Sequence, residues 1–153
     1  MYRKSLADQS CSIARSLDVV GEWWTLLILR DAFRGVRRFE DFLSSLGIAR
    51  NVLAVRLSKL VDTDILERVP VPEHAGRHEY RLTAKGRDLQ PVLLSLLRWG
   101  DRWAIHEDEA PPVVLDHTGC GHDADPRLVC GHCGAELHPG NVRRREADHP
   151  QLA

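Results

Sequence analysis

The stretch ARNVLAVRLSKL, residues 49–60, decides how this chain is to be understood. Leu53, Leu57 and Leu60 recur at the spacing of an amphipathic helix, so they share one buried stripe. The other face carries Arg50, Asn51, Val55, Ser58 and Lys59, with Arg56 on the flank. Long cations, an amide and a small apolar group suit a helix lying in the major groove of DNA. There, amides and guanidinium groups near a helix N-terminus can tell base edges apart. Taken alone, the same face suits plain solvation equally well. The sequence on either side has to decide.

Upstream, SIARSLDVVG places Ile13, Leu17 and Val20 at helical spacing and ends at Gly21. EWWTLLILRDAFRG follows, with Trp24, Leu27, Ile28 and Ala32 or Phe33 expected inward, closed by Gly35. RRFEDFLSSLG then sets Phe39, Phe42, Leu43 and Leu46 on a core face before Gly47. Downstream the period changes from helical to alternating. ILERVPV, with Leu66, Val69 and Val71 as its core residues, and HEYRL, with Tyr80 and Leu82, are expected as two strands. PEHAGR joins them as a turn-rich loop. Thr83 suits the N-cap of a long helix running from Ala84 to about Glu107, in which Pro91 marks either a kink or the true start.

Helix, helix, helix with a cationic face, then a hairpin with a basic tip is the element order of a winged helix-turn-helix. The expected fold is therefore mainly α with a small β-hairpin (α+β), with a long dimerisation helix and a small C-terminal Cys/His-rich segment. On that fold Arg50 and Asn51 face bases, and Val55 meets a thymine methyl. Arg56 or Lys59 reaches a phosphate, and Arg37 and Arg38 lie along the backbone. Arg56 suits a structural pairing with Asp62 or Glu67 equally well. His74, Arg77 and His78 form the hairpin tip.

The bulk properties agree with such a body. A chain of 153 residues is about one ordinary domain and can bury roughly 70% of its unfolded surface. Residues 1–106 hold 17 Lys/Arg against 13 Asp/Glu, whereas residues 107–153 hold 4 against 9. A modestly basic body with an acidic tail suits a polyanion-binding module better than the near-neutral total suggests. The start of the chain has no signal-peptide pattern, and no apolar run reaches the ~20 residues of a membrane span. A cytoplasmic protein with no membrane association is expected. The organisation follows as 1–106 for DNA binding and dimerisation, 107–116 as linker after the break at APP, 117–140 as a metal-binding segment, and 141–153 as a flexible tail.

In the long final helix Leu93, Leu97, Trp99 and Trp103 contribute to an apolar arc too wide for one small domain to cover. A partner helix in a homodimer is one cover; the N-terminal helix or the tail is another. A symmetric dimer would present two reading helices about 34 Å apart and prefer a palindromic operator. In the tail, His117, Cys120, Cys130 and Cys133 form H-x2-C-x9-C-x2-C, a donor set suited to tetrahedral zinc of structural type. His122 and His132 compete for the fourth position, and a disulfide or unused thiols are the alternatives. Cys11, at a helix start, suits either a thiolate sensor or a small packing residue.

CSIARSLDVVGEWWTLLILR, RRFEDF, NVLAVRL, YRLTAKG and RWGDRW together resemble the HxlR-type transcriptional regulators, relatives of the MarR group, over roughly residues 11–104. The resemblance implies a homodimeric winged helix that binds double-stranded DNA, controls transcription, and has no catalytic activity. It also implies oxidant or electrophile sensing at Cys11 in some members. Nothing in the residues identifies a small-molecule effector. Two positions depart from the family pattern. Asp64 replaces a turn glycine, and Glu22 and Trp23 stand where GK commonly precedes the tryptophan. A protein-interaction module that docks a partner through the winged helix and the Cys/His tail is the competing reading. An enzyme is not expected: the Cys-x-x-Cys pair has no strand–helix redox unit, acid–base pair or phosphate loop beside it.

Overall fold

In the computed structural model, residues 5–72, 76–105 and 110–145 are described. The helices are α1 (Ser12–Val20), α2 (Trp23–Phe33), α3 (Phe39–Leu46), α4 (Arg50–Asp62), α5 (Ala84–Arg87) and α6 (Gln90–Trp103). The strands are β1 (Leu66–Pro70), β2 (His78–Leu82), β3 (Asp116–His117) and β4 (His122–Asp123). Leu53, Leu57 and Leu60 are fully buried, as the stripe requires, against Ile28, Leu29 and Ala32 of α2 and Phe42 of α3. Each such side chain contributes about 1.5–3 kcal/mol by leaving water.

Two core expectations change. In α2 the buried side chains are Thr25, Ile28, Leu29, Asp31 and Ala32, with Leu29 where Leu27 was expected. WWTLLILRDAF is apolar almost all round, so periodicity alone does not choose its inner face. In α1, Ala14 and Val20 are buried while Ile13 is 72% exposed and Leu17 also lies outward. The helix is turned so that its small residue, not its isoleucine, meets the core.

β1 and β2 pair antiparallel, from Leu66 opposite Leu82 to Pro70 opposite His78. The hairpin is fastened to the helical layer from its free side: the Tyr80 amide donates to the Arg37 carbonyl at 2.8 Å. The Tyr80 ring meets Phe42 edge-on, with centroids 6.5 Å apart. Thr83 caps a helix as expected, accepting from the Gly86 amide at 3.1 Å, but that helix lasts one turn. The long helix begins again at Gln90, so Pro91 marks a true start, where its missing N–H costs nothing.

The structure divides into two compact units, one ending at Leu94 and one beginning at Ser95. The division falls inside α6 rather than at the APP break, because Leu93 is the last residue of α6 that packs on the core of the first unit. In the second unit, β3 and β4 pair as a hairpin that begins at Asp116, within the segment expected as linker. A single bridge joins Val129 to Glu136. Among the described residues no helix is long and apolar enough to cross a membrane.

Asp64, which stands where the family has a turn glycine, has φ of 55°, in the left-handed region. The Asp64 amide donates to the Val61 carbonyl and the Ile65 amide to the Leu60 carbonyl, at 3.0 and 2.9 Å. This is a Schellman ending, with buried Ile65 against buried Leu60 as its apolar contact. An L-residue there carries a steric cost that glycine avoids. Asp64→Gly is therefore expected to raise stability by about 0.5–1 kcal/mol, read as a higher urea midpoint at unchanged slope. A lower midpoint would show that the carboxylate itself holds the turn.

Candidate nucleic-acid interface

Burial of the leucine stripe turns Arg50, Asn51, Ala54, Val55 and Ser58 outward, all exposed along the N-terminal and middle turns of α4. Val55 is 61% exposed, a value that a core position would not tolerate. The helix starts at Ala49 with no side-chain cap, so its first-turn amides are open to an acceptor such as a phosphate oxygen. Asn51, able to donate and accept at once, stands beside them.

The cations of this helix divide into two kinds. Arg56 is directed away from the outward face, with Nη2 3.1 Å from Glu22 of the segment before α2. Neither Asp62 nor Glu67 is its partner; Asp62 instead accepts from the Ser58 hydroxyl at 3.4 Å. Lys59 Nζ donates to the Asp18 carbonyl at 2.6 Å. Both side chains thus tie α4 to the α1–α2 region, and the phosphate contact expected of one of them is not what their placement serves. Arg50 remains outside. Its guanidinium grips Glu40 through two bonds of 2.7 and 2.8 Å and lies over the Phe39 ring at 5.2 Å. The hydrogen bonds from Arg50 hold the Glu40 carboxyl below the usual carboxylate range. An exposed pair of this kind is screened by water, holds weakly and can be exchanged for another anion.

Of the two arginines before α3, Arg37 turns inward and donates to the Ala32 carbonyl at 2.9 Å. Arg38 is exposed at the N-cap of α3. On the hairpin, Arg77 and His78 are exposed, and His74 lies outside the described residues. His78 Nδ1 is 3.4 Å from Nη2 of Arg68, an exposed cation on β1 that stands 6.0 Å over the Tyr80 ring. Arg68 was not among the expected contacts. It shares strand parity with buried Leu66, so alternation gave no reason to seek an outward cation there; only a charge within the apolar strand ILERVPV hinted at it.

Along α6 no residue is fully buried. Leu93 packs against the first unit's own core and Leu97 is half-buried, whereas Val92, Leu96, Trp99 and Trp103 are 51%, 47%, 59% and 64% exposed. The open stripe is therefore 92, 96, 99 and 103, shifted by one residue from the expected set at its N-terminal end. Cys11 is exposed at the N-cap of α1, with no side-chain cap bond there.

In the tail, His117 Nδ1 lies 3.1 Å from Cys120 Sγ. The backbone N–H groups of Cys133 and His132, and the Cys133 thiol, point at Cys130 and lower its thiol pKa. His122 Nδ1 instead contacts the Cys120 carbonyl at 2.9 Å. Among the described residues no three such side chains gather into one group. The four expected ligands thus stand as two pairs on two separate turns, because each turn's own hydrogen bonds hold its pair.

Residues 19–108 match the family described as HxlR-like helix-turn-helix. Rv3095 of Mycobacterium tuberculosis, an uncharacterised HTH-type transcriptional regulator, is 50% identical over 131 residues, 86% of this chain and 82% of the relative. The crystal structure of PA1607, described as a candidate transcription factor, is similar with a TM-score of 0.84 and 39% identity. That match covers 94% of this chain and 100% of the other, and so extends through the Cys/His segment. The redox regulator HypR in its oxidised form is similar with a TM-score of 0.56 and 29% identity, over 60% of this chain and 96% of its own. With an exposed reading-type helix, a fastened hairpin and these likenesses, the chain belongs to the HxlR-like helix-turn-helix family and is a transcriptional regulator, not an enzyme.

Proposed function

We propose that the protein acts as a homodimeric repressor that binds a palindromic operator, with α4 of each copy in the major groove and each hairpin on the adjoining backbone. The observation that carries this reading is the exposed set Arg50, Asn51, Ala54, Val55 and Ser58 at the uncapped end of α4. It combines an amide, a methyl-bearing side chain and small residues that permit close approach to base edges. Arg38, Arg68 and Arg77 flank it as phosphate contacts.

The dimer is supported by Val92, Leu96, Trp99 and Trp103, spaced four, three and four residues apart on one face of α6 and open to solvent. The same stripe on a second copy offers a self-complementary cover. A dimer seated across two half-sites occludes the promoter it covers, which is the physical basis of the repressor assignment. We further assign Cys11 as the oxidant-responsive thiol, supported by its exposure at a helix N-terminus.

The experiment is binding of the purified protein to the intergenic DNA upstream of its own gene and to a scrambled duplex, across a salt series. Preference for the first at physiological salt is expected. Asn51→Ala should weaken it by about 1–3 kcal/mol per contacted base pair, and Cys11→Ser should abolish any loss of binding caused by an oxidant. Binding to neither duplex would favour the interaction-module reading instead.

Glu40 gives a second test. Its depressed pKa means that the pair with Arg50 is complete above the ordinary carboxylate range and is lost only as pH falls through the lowered value. Mild acidity therefore leaves Arg50 held, whereas Glu40→Gln should release it. That variant is expected to bind DNA a few-fold more tightly, with a salt dependence steeper by roughly one charge per subunit. An unchanged salt dependence would place Arg50 away from the phosphates.

A further inference from the structure

The segment from Asp116 to Glu136 contains the same local construction twice. In the first, the Asp116–Asp123 pair of the β3–β4 hairpin encloses His117-Thr-Gly-Cys120-Gly121. In the second, the Val129–Glu136 bridge flanks Cys130-Gly-His-Cys133-Gly134. The glycine after the second donor is left-handed in both, with φ of 73° and 74°. In both, its amide donates to the carbonyl of the first donor residue at 2.8 Å. A turn of this shape brings the first and fourth side chains to the same side. His117 Nδ1 and Cys120 Sγ stand 3.1 Å apart, close to the ~3.5 Å that two such ligands span on a tetrahedral zinc ion. At the second turn, backbone N–H groups already point at the Cys130 sulfur.

A second observation is independent of the donors. No described residue from 110 to 145 is buried, and Leu128 and Val129 are 62% and 52% exposed. Among the described residues the two turns are linked by an exposed network, Arg127 with Asp125 at 2.8 Å and with Glu136 at 3.1 Å, and Asp125 also meets Arg98 at 3.4 Å. Exposed ion pairs are screened by water and hold little, too little to order a segment in which no described residue is buried. A Cys130–Cys133 disulfide would close only the second turn and leave the first unattached. One ion held by both turns would staple the whole segment.

We propose that His117, Cys120, Cys130 and Cys133 close around a single structural zinc ion, one pair from each turn. Three sulfurs and one imidazole select zinc over the hard cations, and three thiols give up their protons as the ion binds. The cation offsets the mutual repulsion of the thiolates and so draws the two half-sites together. His122 is not the fourth ligand: its ring nitrogen is engaged with the Cys120 carbonyl, whereas that of His117, its neighbour across the hairpin, faces the Cys120 sulfur.

The test uses the full-length reduced protein, titrated with cobalt(II) as a spectroscopic probe and then with zinc. About one metal per chain is expected, with visible absorption of tetrahedral intensity and a thiolate charge-transfer band. His117→Ala and Cys133→Ser should each lower metal affinity by roughly 100-fold or more, and His122→Ala should leave it unchanged. Chelation should open residues 110–145 to protease while the first unit stays resistant. Three results would overturn the proposal. They are cobalt uptake no greater than in a Cys120/Cys130/Cys133 triple serine variant, loss of binding through His122→Ala instead of His117→Ala, or a Cys130–Cys133 disulfide that persists in reductant without metal.

Discussion

Everything on the DNA-facing side of this molecule depends on one apolar contact, the burial of Leu53, Leu57 and Leu60 against Ile28, Leu29 and Phe42. A helix has a single rotation about its axis. Once those three leucines are inside, Asn51, Val55 and Ser58 have to be outside. The hairpin is bound into the same arrangement, because Phe42 is both a core residue and the ring against which Tyr80 rests. Core packing and presentation of the outward face are thus set by the same few side chains.

Charge is distributed more economically than a count of cations suggests. Arg56 and Lys59 hold α4 to the segments around Glu22 and Asp18 and so fix its angle. Arg37 serves the turn before α3. Arg38, Arg68 and Arg77 stay exposed, Arg50 is held at the surface by Glu40, and the outward face of α4 between its cations is nearly neutral. Such a surface gains affinity from its rim and discrimination from its centre. Asp64 shows the same economy in the backbone, since an aspartate occupies the left-handed position at the end of α4 without loss of the Schellman bonds.

Much of this was legible in the residues. The leucine stripe, the change of period after Asp62 and the winged helix order follow from local pattern, and the turn at Asp64 from the family resemblance. What local pattern cannot carry is the partner across space. The cations of ARNVLAVRLSKL look alike in sequence, yet Arg56 meets a carboxylate 34 positions away and Lys59 a carbonyl 41 positions away. The inner face of α2 was misjudged at Leu27 because the helix is apolar all round. Ile13 was misjudged because its helical spacing matched a core stripe although α1 presents Ala14 instead. In the tail, the spacing of His and Cys revealed two pairs of donors, and only the repeated turn geometry showed how alike the two halves are.

The central claim is that the outward face of α4 reads DNA while its flanking cations are structural. It is tested most directly by measuring both urea unfolding and operator affinity for single alanine variants at Asn51, Val55, Arg56 and Lys59. Asn51→Ala and Val55→Ala should lose affinity with unchanged unfolding midpoints. Arg56→Ala and Lys59→Ala should lower the midpoint and leave the salt dependence of binding as it was. Flattened salt dependence with unchanged stability for the last two would contradict the account, as would full affinity in the first two.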